Sequence, residues 1–486
     1  MAHGSQLVRY WGRKPVELAR RFIEEFSSEG DVVLDTFGGS GVFIRTALEL
    51  QRRAVYIDLN PFAVLIARSS IVGCDSEQLK KAAQQILSRD TVPIKVMDKI
   101  EYIPRVKIFS IRCLCGRAVE AKYLVFTRAY RANHKINPNI MGLRKEIYLF
   151  IANKGEITHE ELLKHFVGRS TRSISYAVKW LVKNNFVNED ERPEEVYYRV
   201  PCKCGKLSRK LAREPWVIKG PIHPVYWYPK NKLYYREKVP FLKKRDSNSV
   251  DGFFLDRSLA LLSAIWKDIQ TLRVRRDVKC CLQLAFMATL ARSSKMCRSY
   301  GGTWPVNSYW IPRKYVVKNP YAVFQSAIIQ ISNTLLRQRT ITCGEVNDVI
   351  QGKADVSFVL ADSTNLKLPA ESFDYVIVDP PHTDEAQFFE LSFFYTAWLR
   401  KKLDFENEIV INPNQQKDLD YYLLAIKKAS EKIYHSLKRG RYYTIILHEE
   451  DQRILEACMK VILTAGFIIV RSDEIGDYRI YTFRKL

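Results

Sequence analysis

Residues 31–69 constrain the fold more than any other part of the chain. Positions 31–35 read as a buried strand ending in Asp35, Thr36-Phe37-Gly38-Gly39-Ser40-Gly41 as a tight turn, and 42–50 as a helix. A second strand, 54–58, ends in Asp58, and Leu59-Asn60-Pro61 opens the next helix, with proline where the first helical turn favours it. Strand, glycine turn, helix and acid-ended strand is the unit from which open α/β sheets build a nucleotide-cofactor site. Glycines let the backbone approach a ligand closely. An acid at the end of the second strand is placed to bond ribose hydroxyls. Capping the following helix is the alternative role for Asp58.

The rest of such a sheet comes much later. Strand 356–360 leads into Ala361-Asp362-Ser363, and strand 373–378 leads into Asp379-Pro380-Pro381-His382. Proline locks φ and lacks an N–H, so the pair stops the strand. The carboxylate is held at the strand's carboxyl end, where these sheets place ligands. About 300 residues separate Asp58 from Asp362. The expected fold class is α/β, a single Rossmann-like sheet interrupted by a large insertion after its second strand–helix unit. Further on, 388–399 reads as a helix with Leu391, Phe394, Tyr395 and Trp398 on one face, and Trp398 reads as core. A basic hairpin-like stretch at 439–441 precedes strand 442–447, and strands 467–470 and 479–483 complete the sheet.

Asp-x-Phe-x-Gly-x-Gly at 35–41 and Asp-Pro-Pro plus a ring at 379–382 together resemble the motifs of S-adenosylmethionine-dependent DNA amino-methyltransferases of the N6-adenine/N4-cytosine family. The resemblance covers roughly 7–70 and 340–486. It implies S-adenosylmethionine held by Asp35, Phe37, Gly39, Gly41, Asp58, Asn60, Asp362 and Ser363. It also implies that Trp11 and Lys14, in Tyr10-Trp11-Gly12-Arg13-Lys14-Pro15, hold the methionine end. The alternative for that arm is phosphate contact. The implied catalytic group is Asp379, Pro380, Pro381 and His382. Asp379 and the Pro380 carbonyl would accept the two hydrogens of an exocyclic amino group and aim its lone pair at the methyl donor, catalysis by positioning and electrostatics. The base would be flipped out of a duplex. The family's usual last residue is Tyr, Phe or Trp. His382 departs from it and predicts turnover falling below about pH 6.5 if the protonated ring stacks poorly. The implied product is N6-methyladenine. Cytosine N4, an RNA base, and a DNA-binding regulator with a vestigial sheet remain open.

Composition bears on the partner. Lys and Arg number 77 against 53 acidic residues, a net charge of +24. That excess favours nucleic acid, double-stranded DNA first, over a membrane surface. There is no long uncharged apolar run and no secretory pattern. The cysteines therefore read as thiols or metal ligands, and the expected location is cytoplasmic. A restriction or defence partner is a further expectation.

The expected organisation is 1–75 and 339–486 for the two parts of the methyltransferase sheet. Zinc-knuckle regions are expected at 76–142 and 196–240, a winged helix-turn-helix at 143–200, and a helical and aromatic recognition region at 241–338. Cys113-Leu114-Cys115-Gly116 and Cys202-Lys203-Cys204-Gly205 are matching knuckles, and four thiolates can close a structural Zn²⁺ site. Cys280-Cys281 read as core. Helices are expected at 143–153, from Thr158 with a capping box to Glu161, and from 170 to about 184, with wing strands starting at Phe186 and returning at Tyr197-Tyr198-Arg199-Val200. Arg169, Arg172, Ser173, Ser175, Tyr176 and Lys179 would lie on or near the recognition helix. A protein-contacting spacer is the alternative. Helical pattern over 257–292 is followed by Tyr300-Gly301-Gly302-Thr303-Trp304-Pro305 and by Ser308 to Tyr315. There Trp310 and Arg313 suit stacking and phosphate contact, or else the segment covers the active-site mouth. Residues 243–249 read as a mobile linker.

Overall fold

The fold is that of a computed structural model, which describes residues 8, 10–12, 14–133, 140–198, 202–205, 215–236, 238–243, 245–298, 309–335, 341–384 and 386–486. Seven strands form one sheet: β1 (Val32–Asp35), β2 (Arg53–Asp58), β3 (Val356–Leu360), β4 (Phe373–Val378), β5 (Leu437–Leu447), β6 (Ile468–Ile475) and β7 (Tyr478–Arg484), in the order β3-β2-β1-β4-β5-β7-β6. The first five are parallel to their neighbours, and β7 runs antiparallel between β5 and β6. β1 and β4 are buried along their whole length. Their apolar runs follow from helices covering both faces. Val16–Phe26 and Val42–Glu49 pack on one face, Leu419–Ser436 and Gln452–Leu463 on the other. Strand order reverses between β1 and β4, and this switch point is where such sheets bind ligands.

The insertion leaves after the helix Pro61–Ile71 and returns at β3, which pairs directly with β2, Val356 against Ala54 and Leu360 against Asp58. Much of it is not a separate body. Helices Ser76–Leu87, Asp256–Thr271, Arg276–Arg292 and Pro320–Leu335 share a core with Pro61–Ile71 and Phe388–Trp398. Phe62 stacks on Tyr395 at 4.1 Å, and the fully buried Trp398 meets Phe286 at 5.2 Å. Cys281 is buried in this core, with Cys280 packed at its edge. A smaller core holds Leu143–Lys154, His159–His165 and Thr171–Lys183 together. The expected capping box forms between Thr158 and Glu161, and the helix opening at 170 is capped by Ser170, which accepts from the Ser173 N–H.

Three expectations are corrected. Residues 187–198 are one long strand, not two arms of a wing. It pairs with the upstream strand Ala118–Ala132, which also takes Ile157–Thr158 and Lys314–Lys318. Local turn chemistry could not reveal a partner lying before the helices. Arg199 and Val200 lie outside the described residues, as do 299–308 with Tyr300, Trp304 and Ser308. Residues 439–441 belong to β5, at a register shift, rather than to a hairpin. Arg439 there meets Glu371, and Arg441 meets Asp31 and Asp374. The expected linker is not free chain. Arg245 is buried against Glu390, and Asp246 accepts from the Ile311 N–H at 2.8 Å. Lys244 lies outside the described residues. Among the described residues, no helix is long and apolar enough to cross a membrane.

Candidate active site

One pocket at the switch point brings both motifs together. Trp11, Lys14, Phe37, Gly39, Asp58, Asn60, Asp362 and Ser363 line it with Asp379, Pro380, Pro381 and His382. Asp35 and Gly41 support the turn from behind. Tyr56 explains the first glycine: its hydroxyl donates to the Gly39 carbonyl at 2.7 Å, and a Cβ on Gly38 would collide with its ring. Gly39 and Gly41 have φ of +49° and +80°, the region where only glycine is unstrained. A Cβ on Gly41 would also press on Ala67 and Ile71 at 3.0 Å.

The turn holds Asp58 through its own backbone. One carboxylate oxygen accepts from the Gly39 N–H and the other from the Asn60 N–H, each at 2.7 Å. Burial nevertheless pushes this carboxyl up to about 6, against those hydrogen bonds. Asp35 is fully buried. Its Oδ1 accepts from the Phe37 N–H at 3.0 Å, while Oδ2, like Trp11 Nε1, has no hydrogen-bond partner among the described residues. Such orphaned polar atoms beside a pocket are costly unless a ligand or water satisfies them. Asn60 caps the next helix through the Phe62 N–H and donates to Ser392 Oγ. The Ser363 hydroxyl donates to the Thr36 carbonyl, and Asp362 caps its own turn through Thr364. Both therefore brace the pocket as well as line it.

Asp379 is held differently. The Lys14 ammonium lies 2.8 Å from Asp379 Oδ1, and His382 Nε2 lies 3.3 Å from the same oxygen. The backbone N–H of His448 points at His382 Nδ1, 3.3 Å away. An Nδ1 that accepts leaves the ring proton on Nε2, facing Asp379. Lys14 Nζ and His382 Nε2 are 3.0 Å apart. An ammonium only donates, so that contact asks Nε2 to accept, the opposite tautomer; both groups lie against Asp379 Oδ1. Burial pushes Asp379 up to about 6, and Lys14 pulls it back down. Lys14, expected at the methionine end of a cofactor, lines the pocket and is paired with Asp379.

The opposite wall was not foreseen. Phe388, Phe389, Asn407, Glu408 and Ile409 complete the pocket with Tyr10. Glu408 accepts from the Phe389 N–H at 2.9 Å, and burial raises its carboxyl to about 7. These residues sit on a helix and a loop without a recognisable motif, so no local sequence signal marks them.

The knuckles also meet. All four cysteine Sγ atoms lie within 4.8 Å of one another, with Cys113 and Cys204 3.4 Å apart and Cys115 and Cys202 3.6 Å apart. A tetrahedral zinc–thiolate site has sulfur–sulfur edges of about 3.8 Å, so the set fits such an ion. Gly116 and Gly205 close the two turns with N–H bonds to Cys113 and Cys202 and positive φ. On the helical unit, Arg169, Arg172, Ser173 and Lys179 are exposed, Arg169 lying 3.9 Å from Glu146. Trp310 is partly exposed, with the Arg298 guanidinium 5.3 Å over its ring. The Arg313 guanidinium packs against His159 Nε2 and ties the aromatic segment to the helical unit.

Comparisons with known proteins agree with part of this picture. Residues 4–69 match the N6/N4 DNA methylase family. The type II methyltransferase M.MjaII of Methanocaldococcus jannaschii is 29% identical over 100 residues, 19% of this chain and 19% of that protein. These matches support a DNA methyltransferase family. The chain thus spans under a fifth of its curated relative. Among solved structures, the antibiotic-resistance methyltransferase Kmr is 14% identical over 27% of this chain and 60% of its own, with a TM-score of 0.17. The Methanococcus jannaschii fibrillarin pre-rRNA processing protein is 14% identical over 32% of this chain and 52% of its own, with a TM-score of 0.16. At TM-scores this low the likeness assigns no function.

Proposed function

We propose that the chain is an S-adenosylmethionine-dependent DNA amino-methyltransferase, with adenine N6 as the first target. The observation that carries this is the convergence, in one pocket, of the Gly38–Gly41 turn with Asp58 and the Asp379-Pro380-Pro381 strand end. The residues present fit the cofactor: Asp58 for ribose hydroxyls, the glycine turn for close approach, and the unsatisfied Trp11 Nε1, which lines the pocket, as a group awaiting a partner. When bound, S-adenosylmethionine supplies an electrophilic methyl sulfonium.

The chain's own residues do the rest. Ionised Asp379 accepts one hydrogen of the target amino group, and the Pro380 carbonyl accepts the other. This localises the nitrogen lone pair. Lys14 yields its place on Oδ1 as the amino group arrives, and its charge keeps the carboxylate ionised until then. His382 lies against the same carboxylate through the polar edge of its ring and leaves its face for the base. Phe388 and Phe389 wall off water. The exposed Arg169, Arg172, Ser173 and Lys179 of the helical unit, with Trp310, contact nucleic acid. A structural Zn²⁺ on Cys113, Cys115, Cys202 and Cys204 clamps the ends of the ribbon that carries this unit.

Transfer of labelled methyl to duplex DNA and, in parallel, to RNA, followed by nucleoside analysis, tests the reading. N6-methyladenine in DNA is expected and should vanish in Asp379→Ala with DNA binding retained. N4-methylcytosine would correct the base, and label in RNA alone the substrate. Elemental analysis should find about one zinc per chain, lost in Cys202→Ser.

A further inference from the structure

The pocket wall formed by Phe388, Phe389 and Glu408 is tied to the insertion by one buried polar cluster. Glu390 follows the wall residues Phe388 and Phe389 on their helix and is itself fully buried. Its carboxylate accepts from the Leu242 N–H at 2.9 Å and the Lys243 N–H at 3.4 Å, and takes the Arg245 guanidinium and the Tyr235 hydroxyl. Asn412 donates to Tyr235 Oη and to Gln387 Oε1, each at 2.6 Å. Glu408, in the same loop as Asn412, takes the Phe389 N–H. The Tyr309 hydroxyl donates to the Glu390 carbonyl at 2.7 Å, and Arg245 lies over the Tyr309 ring at 5.3 Å. Tyr309 precedes Trp310, and that segment reaches the helical unit through Arg313 and His159.

Residues 235–245 therefore surround the Glu390 carboxylate, Tyr309 holds its backbone carbonyl, and the carboxylate does not itself line the pocket. A buried ion pair adds little net stability over a well-packed apolar set, since desolvation offsets the attraction. What it adds is fixed geometry: each partner has one satisfied arrangement. The turn from Asp35 to Asp58 holds itself through its own backbone.

We propose that Glu390, with Arg245 and Tyr235, is a positioning centre through which seating of the insertion on DNA sets the wall that receives the target base. The inference rests on the function proposed above. Glu390 and its partners act through Phe388, Phe389 and Glu408 and touch no reacting atom.

The test uses the full chain with Tyr235→Phe, which keeps the ring packing, and Glu390→Gln, which keeps the shape. Arg89→Met serves as control, since Arg89 pairs with Asp268 elsewhere in the insertion. Equilibrium binding of S-adenosylmethionine and single-turnover methylation of sheared genomic DNA are read together. Loss of one such hydrogen bond is expected to slow turnover about tenfold with cofactor affinity within about twofold, the control being unaffected. Equal slowing in the control, or parallel loss of cofactor affinity, would mean a general structural role and overturn the proposal. Amide hydrogen exchange separates this from the catalytic reading. Added duplex DNA should protect peptides over 386–392 and 405–412 in the wild type and not in Tyr235→Phe. That result without any methyl transfer would leave the coupling standing and remove the function. Transfer with no change in protection would do the reverse.

Discussion

Asp58 and Asp379 are two of the four acids that line the pocket, with Asp362 and Glu408, and burial raises both to about 6. They differ in what holds them. Asp58 takes backbone N–H groups of Gly39 and Asn60, within a few residues of its own strand or the neighbouring turn. Asp379 takes the side chain of Lys14, from the far end of the chain. Backbone donors cannot leave; a lysine can swing away. Under the proposed function, the contrast teaches that the end around Asp58 is built to be occupied without rearrangement, and the end around Asp379 to exchange one partner for another.

Asp379→Asn puts that contrast under the greatest load. It should lower turnover on the order of 10²–10³-fold, as for loss of one positioned transition-state contact, with S-adenosylmethionine affinity kept in a calorimetric titration. Loss of both together would mean that the two ends are one unit. Gly38→Ala attacks the other end by forcing a Cβ into Tyr56. Overpacking of this kind costs about 1–3 kcal/mol, so a lower Tm and weakened cofactor binding are expected. Asp58→Asn removes the charge and keeps the shape. Cofactor Kd should rise about tenfold, with turnover at saturating cofactor little changed.

The smallest effect sharpens the comparison through pH. A carboxyl near 6 is ionised above that pH, so the active form of Asp379 is lost as pH falls through about 6. The positive charge of Lys14 favours the ionised form. Lys14→Met should therefore move the acid limb of turnover, measured at saturating cofactor, to higher pH. It should leave the pH dependence of cofactor Kd, governed by Asp58, in place. An acid limb that instead disappears in His382→Phe would assign it to the histidine.

Much of the cofactor end was legible because its interactions are short in sequence. A Thr-Phe-Gly-Gly-Ser-Gly turn between two apolar strands encodes positive φ, close backbone approach and the acid's donors within 31–60. The capped helices around 158 and 170 were legible for the same reason. Asp-Pro-Pro marked its own strand end. Lys14 was noticed as a pocket residue, but its pairing with Asp379 was not, since nothing near residue 14 announces a partner at 379. The strand over 187–198 was misread as a wing because its partner lies upstream, beyond three helices.

By itself the sequence determined the identity of both motifs, the interruption of the sheet, and the pairing of two like cysteine turns. These depend on spacing within about a dozen residues or on repetition. Tertiary structure alone decided that Lys14 and His382 share one oxygen of Asp379, that Phe388 and Glu408 wall the pocket, and that Arg245 is buried on Glu390 rather than in a linker. Such contacts join residues more than a hundred positions apart in most cases. Their strength comes from burial, and burial is a property of the packed whole that no local pattern carries.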